Sequence, residues 1–380
     1  MIERMKKNWK RIAAGTLCLV GFLLLLVKVN EFEKTPLIST DGQSYEKAIV
    51  TKITKDNLAE DGNRYGTQEV WVQVKTGQFA GQEFDAINPN GSLFGADCEV
   101  GTRVIVIVSA TGDNAVVTVY SLDRTSIIYL FAMFFALVVC LLGGKKGIKS
   151  VMSLVFAGIC IIYLMFPLMY RGISPILITI IVALLTTIMT LGLLGGFSAK
   201  TAAAIVGTTS GVVIAAIAAL VFGKAAGITG YNVSDIETLS YVAQNSQIRI
   251  GQLLFAGIII SALGATMDVG MSISSTIQEL HERNPELGGK ELFLSGIRVG
   301  RDMMGTMTNT LIFAYVGGAL STLVTNYAYD LSYNQLMNSY TIDIEIMQGL
   351  SGSLGVVLTV PVTAAVAAIL IGGSAEKKSC

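Results

Sequence analysis

The chain has 380 residues, of which 52% are apolar and 14% charged, with a mean hydropathy of +0.62. A soluble domain carries about 25% charged residues, so most of this chain is solvated by lipid. Its 27 basic and 27 acidic residues balance, which removes a global electrostatic case for nucleic acid; its forty glycines and six prolines suit membrane helices.

Residues 1–11 carry Arg4, Lys6, Lys7, Lys10 and Arg11, and an apolar run follows from Ile12 to Val29. No small-residue cleavage site follows it, because Lys28, Asn30 and Glu31 come next, so it reads as a retained anchor helix with its N-terminus inside.

Residues 30–124 differ in kind, with fourteen acidic and eight basic residues and a net charge of −6. Short alternating runs at Tyr45–Ile53, Glu69–Lys75, Arg103–Val108 and Ala115–Ser121 are separated by turn residues such as Asp61-Gly62-Asn63 and Asn88-Pro89-Asn90-Gly91. Period-two runs with such punctuation predict strands of a small OB-like or SH3-like barrel. Trp71, Tyr65 and Phe79 are too scattered, and basic residues too few, for a nucleic-acid platform.

From Ser126 onward uncharged stretches long enough to cross hydrocarbon recur. With the anchor they predict helices at 12–29, 126–143, 150–170, 173–195, 201–222, 250–269, 303–325 and 349–372. The fold class is therefore a polytopic α-helical membrane protein of about eight transmembrane helices, with a small extracytoplasmic β-rich domain between helices 1 and 2. The domains are the cytoplasmic N-terminus and anchor at 1–29, the β-domain at 30–124, and a seven-helix membrane domain at 125–380 with a cytoplasmic loop at 271–302. Short segments on the inner side hold fifteen Lys and Arg against three on the outer side, which places both termini in the cytoplasm and 30–124 outside.

Small residues mark close helix packing: Gly207 and Gly211 form a GxxxG pattern, and Gly349, Gly352 and Gly355 recur every third residue. Pro361 in the same last helix marks either a bend in a packed helix or a broken helix lining a site. The segment 231–247 reads as a connector with a short surface helix. Met271–Arg283 reads as an amphipathic helix ended by Asn284-Pro285. Cys18, Cys140 and Cys160 lie in apolar runs, Cys98 in the polar region and Cys380 at the end. They have no metal-ligand spacing and read as small apolar fillers.

Charge at the edge of hydrocarbon directs attention to Gly257–Gly318, because a carboxylate or guanidinium there is costly. Ser261, Asp268, Ser272 and Ser275 fall on one face of the sixth predicted helix, and Asp302, Thr306 and Asn309 on one face of the seventh. Arg298 stands four residues before Asp302, and Asp268 with Arg298 or Arg301 forms a candidate ion pair. The candidate substrate or ion site is thus Asp268, Arg298, Arg301, Asp302, Thr306 and Asn309, near the cytoplasmic ends of helices 6 and 7. The alternative is that the arginines only anchor the interface. The single histidine, His281, rules out Ser-His-Asp triads and the HExxH zinc motif, and no GxxxxGK[ST] loop is present. No enzyme activity and no cofactor or metal are expected.

The segment Gly264-Ala-Thr-Met-Asp268-Val, the run Gln278-Glu279-Leu280 with Asn284-Pro285, Ser295-Gly296, and the long run from Gly300-Arg301-Asp302 through Asn309-Thr310 to Ala314-Tyr315 resemble the YibE/F-like family of bacterial multispanning proteins. The anchor helix, outer β-domain and following helices share the same layout. The resemblance implies a bacterial cytoplasmic membrane location and assigns no reaction or residue role. Two readings stay open. One is a permease or transporter of a small solute or ion; the other is a non-transporting scaffold or sensor whose outer β-domain binds an envelope or membrane protein partner. In both the lipid bilayer is the main environment.

Overall fold

The structure is a computed structural model and describes residues 17, 20–32, 40, 42–60, 64–89, 95–111, 114–233 and 235–372. The chain divides into a unit of residues 36–138 and a second unit formed by 1–35 with 139–380. Residues 12–16, 18 and 19 of the expected anchor helix 12–29 lie outside the described residues, as does Cys380.

Unit 36–138 contains a closed five-stranded barrel. Strands β1 (Gln43–Lys55), β2 (Gln68–Val74), β3 (Glu83–Asn88), β4 (Arg103–Thr111) and β5 (Asn114–Leu122) close in the order β1-β2-β3-β5-β4. All pairings are antiparallel except β3 with β5. This is the connectivity of the OB-like alternative. Alternation dictates the interior: Val50, Val70, Val72, Val74, Val104, Val106, Val108, Val117 and Val119 point inward and are buried. Register shifts in β1 after Val50 and after Ile53 bend the long strand so that it pairs with both β2 and β4. Sequence alternation does not reveal β3, because a polar residue, Asn88, fills one of its buried slots. Asn88 donates to Gln68 Oε1 at 2.9 Å and accepts from the Ala96 N–H at 3.0 Å, while Gln68 donates to the Cys98 carbonyl at 3.0 Å. These two buried amides are satisfied by each other and by the 96–98 backbone, which they hold against the barrel.

The second unit is helical. Helix α1 (Val20–Asn30) packs through Val29 against Cys160, Met165 and Ile178, and Asn30 donates to the Tyr163 carbonyl at 2.7 Å. The expected helices 126–143 and 150–170 run on as α2 (Thr125–Ile159), a π turn (Cys160–Met165) and α3 (Phe166–Tyr170). They are interrupted at Gly144, with φ 52° and ψ −132°, a conformation open in practice only to glycine. In an unbroken helix Val139 and Gly147 would lie roughly 12 Å apart; here the Val139 carbonyl abuts Gly147, so the chain folds back on itself at the glycine. Then come α4 (Pro175–Gly195), α5 (Ala199–Ala225), α6 (Ile236–Gln244), α7 (Leu253–Arg283), α8 (Gly289–Gly318), α9 (Leu320–Ala328), α10 (Tyr333–Leu336) and α11 (Tyr340–Ala367). Among the described residues five helical segments are long and apolar enough to cross a membrane, or six when α8 and α9, bent by 61° at Ala319, are taken as one broken span.

Two sequence expectations shift. The stretch 271–302 is helical except for a turn at 284–288: Met271–Arg283, expected as a separate amphipathic helix, is the end of α7, and α8 begins at Gly289, well before the expected start at 303. Hydropathy stops at the first polar turn, whereas the backbone continues as helix as long as Ile273, Ile277, Leu292 and Gly296 give it a packed side. The helix break falls between α8 and α9, after Gly317-Gly318, and α11 runs through Pro361 without interruption.

Helices α5, α7 and α11 form the tight centre. A Cβ at Gly355 would lie 2.7 Å from the Gly211 carbonyl oxygen, and one at Gly211 would lie 2.8 Å from the Gly355 carbonyl oxygen. Gly207 faces Thr363 of α11 in the same way. The GxxxG pattern of α5 and Gly355 of α11 are thus two sides of one contact, where backbones meet because neither carries a side chain. Gly349 and Gly352 serve a different neighbour, lying against Tyr315 and Leu311 of α8.

Candidate functional site on helices α7 and α8

Helix α8 has two unlike faces. Leu292, Gly296, Gly300 and Leu311 are buried. A Cβ at Gly296 would sit 2.7 Å from Ile277 of α7 and 2.9 Å from Ala364 of α11, and Gly300 abuts Val360 of α11. Glycine at these positions lets α8 lie in the groove between α7 and α11. Its other face presents Arg298, Arg301, Asp302, Thr306, Asn309 and Thr310, all exposed. The Gly-Arg-Asp run at 300–302 therefore has a divided role: the glycine packs, and the two charges stand outward beside it.

On α7 the stripe of Gly257, Ser261, Gly264 and Asp268 is exposed, and Ser272 and Ser275 are half-exposed. The predicted one-face arrangement holds on both helices. Among the described residues no ion pair joins Asp268 to Arg298 or Arg301, or Arg298 to Asp302. The side-chain link between the two helices is the hydrogen bond of 2.5 Å between the Ser261 and Tyr315 hydroxyls. Thr306 and Thr310 turn their hydroxyls to the Asp302 and Thr306 carbonyls, at 3.4 and 3.0 Å, so their polar demand is partly met within the helix.

Depth follows from helical rise. Counted at about 1.5 Å per residue from Gly318, Asn309 lies roughly 14 Å along α8, Thr306 roughly 18 Å and Asp302 roughly 24 Å; Asp268 lies roughly 22 Å along α7 from Leu253. A hydrocarbon core is about 30 Å thick. In helices that cross it, Asn309 and Thr306 sit near the middle and Asp268 and Asp302 in the half nearer the α7–α8 turn. This stripe is also why α8 alone does not count as an apolar span. The site residues line an open face and not an enclosed cavity.

A half-open cavity of about 660 Å³ lies at the α7–α8 turn, lined by Pro285, Leu287, Gly289 and Phe293 with the end of α11, and two more lie at the opposite end. A cavity of about 310 Å³ is lined by Asn232, Asp235, Thr341, Glu345 and Gln348 above apolar residues of α7, and an apolar one of about 230 Å³ by Tyr315, Ala319, Leu323, Glu345 and Gly349. Sequence reading passes over Glu345, since it stands just before the last apolar run among other polar residues. The signal available was its setting between Ile344 and Ile346, which commits the carboxylate to an apolar helix end.

Among the described residues the barrel adds no second cluster of this kind. Its ion pairs, such as Lys47–Asp123 at 3.0 Å and Arg64–Asp56 at 2.7 Å, join neighbouring segments of the barrel itself.

No curated protein and no solved structure matches the chain. A family model described as YibE/F-like protein matches residues 131–373, nearly two thirds of the chain, and takes in every candidate residue named above while leaving the barrel strands outside. The chain is a multi-helix membrane protein and belongs to the YibE/F-like family.

Proposed function

We propose that the chain is a permease of a bacterial cytoplasmic membrane, passing a small solute or ion along the polar face shared by α7 and α8. The observation that carries this reading is the exposed stripe of Asp302, Thr306 and Asn309 at bilayer depth. Hydrocarbon cannot solvate a carboxylate or an amide, so a stripe of this kind lines water or a solute path. Asp268 and Asp302 supply negative charge, and Arg298 and Arg301 supply positive charge toward the α7–α8 turn. The break at Ala319 supports a moving element, because discontinuous helices are where transporters place their sites. The excess of Lys and Arg in the segments on one side supports cytoplasmic termini and an outer barrel.

The test is flux in proteoliposomes of the full-length protein with K⁺, H⁺, Cl⁻ and glycerol as probes. The reading expects at least one probe to move faster than in empty vesicles, and Asn309→Leu or Thr306→Leu to reduce that flux tenfold or more. Flux equal to that of empty vesicles for all four probes, or flux unchanged by both substitutions, overturns it.

A second reading, a membrane-held scaffold or sensor, is favoured by one observation. The barrel exposes Trp71, Ile87, Tyr45 and Val116 on its outer surface, apolar area suited to an envelope protein partner. Removing residues 35–120 separates the two: a permease keeps its flux, whereas a scaffold has none to keep.

A further inference from the structure

Glu345 stands near the N-terminal end of α11, remote from the α7–α8 turn, where it lines both cavities at once. It is half-buried. Among the described residues no Lys, Arg or His lies within ion-pairing distance of its carboxylate, and no hydrogen bond to it is formed. The phenol that could serve it, Tyr315, is engaged with Ser261. On one side is the 310 Å³ cavity, which adds the polar groups of Asn232, Asp235, Thr341 and Gln348. On the other is the 230 Å³ cavity beneath the α8–α9 bend, walled by Ile312, Tyr315, Val316, Leu323 and Gly349.

A carboxylate withdrawn from water is costly unless a positive charge offsets it. The protein supplies none here, and next to the carboxylate it leaves an apolar space with an aromatic wall. Sites for small molecules have this composition, mostly apolar with a few polar groups that fix orientation. An ammonium group gains from both a carboxylate and a neighbouring aromatic ring. We propose that the two cavities form a binding site for an organic cation with an apolar body, its ammonium group held by Glu345 and its body in the cavity beside Tyr315. Asp235 adds negative charge to the polar side. The proposal does not depend on the transport reading, since a sensor would use the same pocket.

The experiment is equilibrium binding to the purified full-length protein in a non-ionic detergent, by calorimetry, with benzyltrimethylammonium as probe. Saturable binding is expected. Tetramethylammonium, which has the charge without the body, and benzyl alcohol, which has the body without the charge, should each bind at least tenfold more weakly. Glu345→Gln and Gly349→Leu, the latter sending a side chain into the apolar cavity, should each weaken benzyltrimethylammonium tenfold or more, while Asp343→Asn changes it less than twofold. Absence of saturable binding to the wild type overturns the proposal, as does tetramethylammonium or benzyl alcohol binding as tightly as the probe. Unchanged affinity in Glu345→Gln overturns it too, since a cavity that takes only an apolar chain would not register that substitution.

Discussion

Replacing Gly355 by alanine should push α11 away from α5. The new Cβ would lie 2.7 Å from the Gly211 carbonyl oxygen and 2.9 Å from the Ala215 Cβ. An ordinary carbon–oxygen contact is about 3.3–3.6 Å, so relief requires a separation of roughly 0.6–0.9 Å. Neither obstacle can rotate aside, because one is backbone and the other a methyl fixed to it. A gap of about 0.5–1 Å forfeits a quarter to a half of each dispersion contact along the seam. Overpacking of this kind costs about 1–3 kcal/mol, and alanine's better helix propensity returns up to about 1 kcal/mol. A net loss of about 1–2 kcal/mol lowers the unfolding midpoint by about 1–3 °C at this size. Gly257→Ala is the matched control, an exposed position on α7 with nothing within 4 Å of the new carbon, where no loss is expected. The assay is thermal unfolding of the full-length protein in detergent, followed by intrinsic fluorescence. If Gly355→Ala melts within 1 °C of Gly257→Ala, the backbone contact between α5 and α11 does not exist and the reasoning fails.

Two further predictions concern the barrel. The Thr125 hydroxyl and the Lys47 ammonium, with the Thr125 N–H at 3.1 Å, hold the Asp123 carboxyl below its ordinary value against the opposing effect of burial. A depressed carboxylate contributes stability that is present above its unfolded value near 3.8 and lost as pH falls through the lower folded one. Asp123→Asn should therefore destabilise the barrel by about 1 kcal/mol at pH 7, and wild type and variant should converge as pH falls through the lowered folded value; a difference independent of pH would contradict this. Burial pushes the Cys98 thiol up to about 11, with the Arg64 guanidinium opposing and Asp97 adding to the rise. Because the thiolate is the reactive form, Cys98 should resist a maleimide at pH 7.5 in the native protein and react once denaturant opens the barrel, as read by mass spectrometry of its peptide. Rapid native labelling would refute its burial.

The parts of this structure that a sequence can carry are those set by local periodicity. Four strands announce themselves by alternation, and the stripe of Asp302, Thr306 and Asn309 by its steps of four and three. What periodicity cannot carry is partnership. Strand β3 hides because Asn88 finds its partners at Gln68 and Ala96, one on another strand and the other beyond a turn. The glycines of α5 and α11 were readable as packing residues, yet only the fold shows that Gly211 and Gly355 meet each other while Gly349 meets Tyr315. The start of α8 looks like loop by hydropathy and is helix because it packs on α7 and α11. Of the two readings of Pro361 the packed helix holds, and the chain breaks at Ala319 instead, where Gly317 and Gly318 leave the helix least supported. Glu345 acquires meaning only when α11 is placed beside α8 and the segment around Asp235.

The claim that the polar face of α8 meets water within the membrane is tested most directly by thiol accessibility along that helix. In full-length protein with its five native cysteines replaced by alanine, single cysteines are introduced at Asp302, Thr306, Asn309 and Leu311 and treated in membrane vesicles with a charged, membrane-impermeant methanethiosulfonate. The account predicts that cysteines at 302, 306 and 309 react, while the one at buried Leu311 does not. A cysteine at 309 as inert as the one at 311 would contradict it.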